Sequence, residues 1–261
     1  MKHNRIKFIV LAILVMFMAG CCIQLRDQNI AVQVDNRILV DNMIESTVAL
    51  VTDVKPGDEF TKRPFCSGVW ISKNEILTAG HCVEDELPDG ITALDLGITM
   101  TPIGKKINYV THSDVSIKGK AMVISVKHAV VIAFDHGLDL AVLSTIDEVG
   151  YHPFGIISSS SNVVGDRVHV VGHTLGFWWT YSSGFIASER ELIGPQDQIE
   201  LLYQISAPVS FGNSGGGAWD INGRLIGIAS FISVKGPSMS FFVHKNVIRE
   251  FLETNGIVTG K

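Results

Sequence analysis

The sequence predicts an all-β protein. Three observations carry that prediction: many short runs rich in β-formers bounded by turn residues, scarcely any helical periodicity, and a polar Gly/Ser-rich stretch near the middle of the chain. STVALV (46–51), SGVWIS (67–72), NEILTA (74–79), KAMVISVK (120–127), VVIAF (130–134) and LAVLS (140–144) precede the central stretch. DRVHVVG (166–172), SGFIASER (183–190), QIELLYQIS (198–206), GRLIGIASFI (223–232) and MSFFV (239–243) follow it. The stretch itself, 145–162, reads as an interdomain linker. Asn222-Gly223 is a hairpin turn signal. One helix is expected near the C-terminus, where Val247, Ile248, Phe251 and Leu252 share a face, Asn246 is a candidate N-cap and Gly256 a stop.

The 261 residues, 46% hydrophobic and 18% charged, suffice for one large core or two smaller ones. At the start, Lys2, Arg5 and Lys7 precede an apolar run from Phe8 to Gly20, the pattern of an export signal. The run is shorter than the roughly 20 residues of a membrane span, so a cleaved leader is favoured over an anchor helix. Met18-Ala19-Gly20-Cys21 resembles a bacterial lipobox, with Met18 where Leu is usual. On that resemblance residues 1–20 are a signal peptide, Cys21 becomes a lipidated N-terminus bound to a membrane, and 21–42 is a tether. Cys22 has no evident partner.

Removing residues 1–20 deletes three cations and no anions, taking the net charge from −5 to −8. No basic tract remains to grip phosphates, so nucleic acid is not an expected partner. Export implies an oxidising compartment in which Cys66 and Cys82 can pair, two buried thiols being the alternative.

VSFGNSGGGAW (209–219) surrounds Ser214 with four glycines. Glycine is favoured where the backbone turns too tightly for a side chain or another group approaches the main chain. The segment fits G-x-S-x-G, the nucleophile elbow of α/β-hydrolases, but that fold orders its residues Ser, acid, His on an alternating βα scaffold. After Ser214 only His244 and, between them, only Asp220 remain, and the scaffold is β-rich. The opposite order is well supplied. LTAGHCVED places His81 after an apolar strand, and GLDLAVL places Asp139 at the entry to another, with Asp135 four residues earlier as a competitor. A serine hydroxyl needs a base, and the base a partner that fixes its tautomer. No second Cys or His lies at zinc-finger spacing from His81 and Cys82, so no metal or cofactor is expected.

These motifs in this order resemble chymotrypsin-like serine peptidases, whose marks are T/S-A-x-H-C, D-[IL]-A-[LV]-L and G-[DN]-S-G-G. The second half, VGDRVHVVGHTLGFWWTYSSGFIASERELI with SAPVSFGNSGGGAWDINGRLIGIASF, looks like the bacterial high-temperature-requirement (HtrA) branch. SFFVHKNVIREFL resembles that branch's closing strand and helix. Two six-stranded antiparallel β-barrels are thereby implied, one over 43–148 and one over 149–261 with the terminal helix. With 47 residues after Ser214, the branch's usual PDZ modules are not expected.

The resemblance implies that Ser214 attacks a peptide carbonyl, His81 transfers the proton, Asp139 orients His81, and the N–H groups of Gly212 and Ser214 receive the oxyanion. It also implies a Cys66–Cys82 disulfide and a specificity pocket from Pro208, Val209, Ser210, Ser230, Phe231 and Ile232, closed by Ser240 and Phe241. None of these is acidic, so the pocket suits a small or medium apolar side chain, with Ile232 narrowing its mouth. Trp178 and Trp179 line the cleft or pack in a surface loop, the second being favoured. Asn213 stands where animal digestive members carry Asp, so no switch based on a newly cut N-terminus is expected. The function expected is an exported serine endopeptidase acting on proteins. A catalytically silent, peptide-binding lipoprotein of the same fold is the alternative.

Overall fold

The computed structural model describes residues 36–52, 63–84, 102–118, 121–193, 199–233 and 239–259. Cys21, Cys22 and the leader lie outside them. The chain divides into one unit up to Asp41 and a second, which holds every strand, over Asn42–Lys261.

Six strands close the first barrel: β1 (Thr47–Val51), β2 (Pro64–Trp70), β3 (Glu75–Thr78), β4 (Lys106–Val110), β7 (Lys127–Asp135) and β8 (Leu140–Thr145), in the order β1-β2-β3-β8-β7-β4. A separate hairpin, β5 (Val115–Lys118) with β6 (Ala121–Ile124), stands outside it. The second barrel, ordered β10-β11-β14-β13-β12-β9, comprises β9 (Arg167–Gly172), β10 (Thr180–Ile193), β11 (Ile199–Ile205), β12 (Gly217–Trp219), β13 (Leu225–Ser233) and β14 (Met239–His244). Closure removes the free edges that two open sheets of this size would present.

Each barrel has its own apolar filling. Val48, Leu50, Trp70, Ile76, Tyr109, Val131 and Leu143 fill the first, and Val168, Ile186, Tyr203, Ile205, Ile226 and Phe242 the second. β2 is buried almost throughout, only Phe65 within it being exposed, because one face fills the first barrel and the other meets the second. The linker is tied to both. His152 stacks on Trp70 at 3.9 Å, and the buried Ser158 hydroxyl donates to Asp220 at 3.0 Å.

A helix over 36–45, α1, was not foreseen; its last turn precedes β1, with the Ser46 and Thr47 hydroxyls returning to the carbonyls of Asn42 and Met43. The C-terminal helix, α2 (Lys245–Thr254), starts one residue earlier than its expected cap: His244, not Asn246, is the N-cap, its Nδ1 accepting the Asn246 N–H at 3.0 Å. Asn246 is the donor of that bond.

Cys66 and Cys82 are joined by a disulfide that ties β2 to the turn after β3, 16 residues apart. Closing a loop of that length removes entropy from the unfolded chain worth about 3 kcal/mol. The double variant Cys66→Ser/Cys82→Ser is therefore expected to unfold about 6–12 °C lower by calorimetry. An unchanged Tm would refute the role given to the bridge.

Candidate active site between two barrels

The short turn Gly80–Cys82 follows β3 and carries His81. The turn between β7 and β8 carries Asp139, held at φ 51°, a left-handed conformation costing a non-glycine residue on the order of 1–3 kcal/mol. That backbone aims the carboxylate at His81. Asp139 Oδ1 lies 2.9 Å from both the backbone N and the ring Nδ1 of His81, and Oδ2 lies 3.1 Å from Nδ1. Asp135, the competitor, instead caps its own turn by accepting the Leu138 N–H.

Asp139 has a third partner. The Ser230 hydroxyl donates to Oδ2 at 2.5 Å. Ser230 is the extra residue at a bulge in β13, where pairing shifts between Ala229↔Phe242 and Phe231↔Phe241. A bulge re-aims a side chain, and here it turns a residue expected in the specificity pocket onto the carboxylate. The Ser230 carbonyl stands 3.5 Å from Ser214 Oγ, a long contact, and no hydrogen bond joins that oxygen to the imidazole.

Ser214 is nonetheless fixed close to His81. Its carbonyl accepts the Ser67 N–H at 2.7 Å and lies 3.7 Å from Cys82 Sγ, a disulfide sulfur with no proton to give. A nitrogen of the His81 ring and the two disulfide sulfurs lie within 4.8 Å of one another. Sulfurs already bonded to each other are not thiolate ligands, so this cluster fits no metal.

The glycines around Ser214 now have a cause. Gly212 has φ +93°, and a Cβ there would stand 2.3 Å from the His173 carbonyl; Gly215 has φ +81°, and its Cβ would stand 2.1 Å from the Ser67 carbonyl. The two expected oxyanion donors are oriented through their own peptides. The Phe211 carbonyl accepts the Leu175 N–H at 2.6 Å, and the Asn213 carbonyl accepts the Gly216 N–H at 2.7 Å. In a trans peptide the N–H points opposite the carbonyl, so the N–H groups of Gly212 and Ser214 point away from these anchors. Among the described residues neither has a partner.

Two buried residues that sequence reasoning missed support this loop. The Ser67 hydroxyl donates to the Gly212 carbonyl at 2.7 Å and meets His173 Nδ1 at 2.9 Å. Both bonds are satisfied only when Nδ1 carries the proton, which leaves His173 Nε2 buried without a partner among the described residues. Burial lowers the His173 pKa to about 3, keeping it neutral. His81 behaves oppositely: burial alone lowers its pKa, but the hydrogen bond and charge of Asp139, with Glu84 further off, outweigh that and raise it. Burial likewise raises the Asp139 pKa, and the His81 bond and charge, with Ser230, bring it below the usual value.

Of the remaining pocket residues, Val209 is buried in the second core, Pro208 is exposed, Ser210 accepts the Asn213 N–H, and Phe231 stacks on Phe241 at 4.7 Å. The Ile232 side chain lies outside those described. Trp178 and Trp179 stack on each other and pack edge-on against His173, and Trp179 Nε1 donates to the Thr47 carbonyl.

Two antiparallel barrels with a His–Asp pair and a glycine-bound serine between them define the serine-peptidase class of architecture. Residues 66–228 match the model of the trypsin-like peptidase domain, and the chain belongs to that family. It is 29% identical over 208 residues to the serine protease HtrA-like of Staphylococcus aureus, covering 71% of this chain and 26% of the relative. It is 34% identical over 107 residues to the probable periplasmic serine endoprotease DegP-like of Bartonella henselae, covering 40% and 21%. The chain thus spans about a quarter of the length of the curated relatives it matches. In fold it resembles the active form of the Rv3671c protease from M. tuberculosis (TM-score 0.64, 19% identity, 88% of each chain). It also resembles the serine endoprotease from Yersinia pestis (TM-score 0.58, 21% identity, 83% of this chain and 65% of that one).

The opposing contributions to His81 give a signed expectation. Its imidazole, followed by nitrogen NMR, should titrate above 6.5. Asp139→Asn removes the charge that raises it and leaves the burial that lowers it, so the midpoint should drop. A variant midpoint at or above the wild-type one would contradict the pairing.

Proposed function

We propose that the protein is an exported serine endopeptidase that hydrolyses peptide bonds in proteins through His81, Asp139 and Ser214. The observation that carries this reading is the 2.9 Å contact from Asp139 to the imidazole, which puts the proton on Nδ1 and leaves Nε2 basic. Ser214 Oγ rotates from the Ser230 carbonyl toward Nε2 as substrate binds; catalytic hydrogen bonds are often long before that stage. Nε2 then takes the hydroxyl proton while Oγ bonds to the carbonyl carbon. The negative oxygen formed is met by the N–H groups of Gly212 and Ser214, each worth roughly 10²–10³ in rate in such sites. His81 passes its proton to the leaving nitrogen, the C–N bond breaks, and the acyl group stays on Ser214. Water repeats the sequence, giving its proton to His81 and its oxygen to the acyl carbon, and Ser214 regains its hydrogen.

The neutral burial of His173 supports this reading, because it braces the oxyanion loop without adding a charge to the cleft. Pro208, Ser210 and Phe231 remain the proposed acyl-side contacts. The long Ser214–Ser230 contact favours the alternative, a silent peptide-binding lipoprotein, and one reagent separates the two. A fluorophosphonate should label purified protein at Ser214, with Ser214→Ala abolishing the signal; folded protein that refuses the label favours the silent reading.

Export is supported by the leader's composition and by the disulfide, which needs an oxidising compartment to persist. Among the described residues no helix is long and apolar enough to cross a membrane. Attachment through a lipidated Cys21 is proposed on the lipobox alone. Mass analysis of the mature N-terminus should find Cys21 carrying acyl chains; an unmodified Cys21, or cleavage elsewhere, would remove the anchor.

A further inference from the structure

The sequence holds two Asn-Gly pairs, Asn222-Gly223 and Asn255-Gly256, and the site between the barrels uses neither. Asparagine is thermolabile because the main-chain nitrogen that follows it can attack the carbon of its own amide. A glycine in the next position leaves that nitrogen unshielded by any side chain. After every other asparagine the next residue carries one.

The fold turns the two pairs into a controlled comparison. Asn222 and Asn255 are both exposed, so water reaches them alike. Gly223 and Gly256 share a left-handed backbone, φ 70° and 69°. Their N–H groups are engaged alike too, by the Asp220 carbonyl at 3.0 Å and the Glu253 carbonyl at 3.1 Å. The nucleophiles are therefore matched, and the electrophiles are not. The Asn255 amide is held at the end of α2, its Nδ2 donating to the Phe251 carbonyl at 2.8 Å. Asn222 uses only its main-chain N–H, donating to Asp220 Oδ1; its side-chain amide has no hydrogen bond among the described residues and is free to turn its carbon onto the Gly223 nitrogen.

We infer that Asn222 is a site of spontaneous covalent modification, converting to aspartate and isoaspartate in the folded protein while Asn255 persists. The Gly223 nitrogen bonds to Asn222 Cγ, the Cγ–Nδ2 bond breaks, and ammonia leaves with the proton of the Gly223 nitrogen, closing a cyclic imide. Water then opens the imide. Attack at Cγ gives aspartate, whereas attack at the main-chain carbonyl carbon gives isoaspartate, in which the chain runs through Cβ and Cγ and gains one carbon. The other bonds of the turn carry the consequence. Asp220, 3% exposed, accepts the Asn222 and Arg224 N–H groups on Oδ1 at 2.8 and 3.0 Å and the Ser158 hydroxyl on Oδ2. Ser158 lies in the interdomain linker, and its N–H is held by the Leu225 carbonyl at 2.8 Å. An added carbon between Asn222 and Gly223 shifts Arg224 away from Asp220, and the new carboxylate stands two residues from a buried one. Modification thus loosens the turn that pins the linker to the start of β13.

The test ages the full chain in mildly alkaline buffer, both folded and in denaturant, and follows its peptides by mass spectrometry after digestion. Conversion adds to a peptide the mass difference between a hydroxyl and an amino group, and chromatography separates isoaspartate from aspartate. An amide tied by one hydrogen bond is free in roughly one molecule in five, so in folded protein the Asn222 peptide should convert about fivefold faster than the Asn255 peptide. In denaturant the Phe251 bond is gone and the two rates should agree within about twofold. Asn222→Gln should abolish the gain in its own peptide. Equal rates in the folded protein, faster conversion at Asn255, or a preference that persists undiminished in denaturant overturns the inference. The converted fraction, isolated by ion exchange, should melt below the unconverted one, and an equal Tm overturns the loosening of the turn.

Discussion

Ser67 is the point on which the cleft depends. Its N–H holds the Ser214 carbonyl, its hydroxyl holds the Gly212 carbonyl, and its own carbonyl accepts the Thr78 hydroxyl at 2.7 Å. Three polar groups on one residue thus tie a strand of the first barrel to the serine loop of the second and to the strand leading to His81. The neighbouring Cys66 adds a covalent tie to the turn that carries His81. Other bonds cross between the barrels, the Ser230 hydroxyl to Asp139 and Trp179 Nε1 to the Thr47 carbonyl, and they add to the register that Ser67 sets. Because Ser67 is fully buried, each bond is made away from competing water, and leaving any one unmade would cost about 1–3 kcal/mol.

Anchoring carbonyls is also how the loop presents amides. A glycine permits the Gly212 backbone conformation but does not choose it, and an unconstrained loop would spend much of its time with the N–H elsewhere. Capture of the Phe211 and Asn213 carbonyls makes that choice within the fold itself. Preorganisation of this kind costs stability locally, visible in the left-handed backbones of Asp139 and Leu175. Asp139 is held by its bonds to His81 and Ser230, and Leu175 by the bond from its N–H to the Phe211 carbonyl.

His81, Asp139 and Ser214 were legible because each sits in a short motif and the three come in one order. The barrels were legible through their strands, except β4, β5 and the three-residue β12, which are too short or too polar at their ends to stand out. Ser230 was placed in the pocket by the family resemblance, and the bulge that turns its hydroxyl onto Asp139 leaves no mark in the sequence. Ser67 and His173 carry no local signal at all: their partnership spans 106 positions and exists only once the barrels dock. The helix cap failed for a related reason. Asn is an ordinary capping residue, and nothing in the sequence marks a buried histidine as a better acceptor than the asparagine two places on.

Asn213 shows how charge and burial settle the character of the loop. It is 3% exposed, its amide donates to the Thr174 hydroxyl at 2.7 Å, and its Oδ1 fits where Gly172 lacks a Cβ. An aspartate in that position would be a buried ionised carboxylate beside the Thr174 hydroxyl, an arrangement that costs several kcal/mol unless a positive group pairs with it. An amide makes no such demand. The serine loop is therefore set by neutral contacts, Asn213 with Thr174 inside the second barrel and Ser67 with His173 across to the first. The neutral His173 serves the same end by bracing Gly212 through Ser67 without placing a charge in the loop.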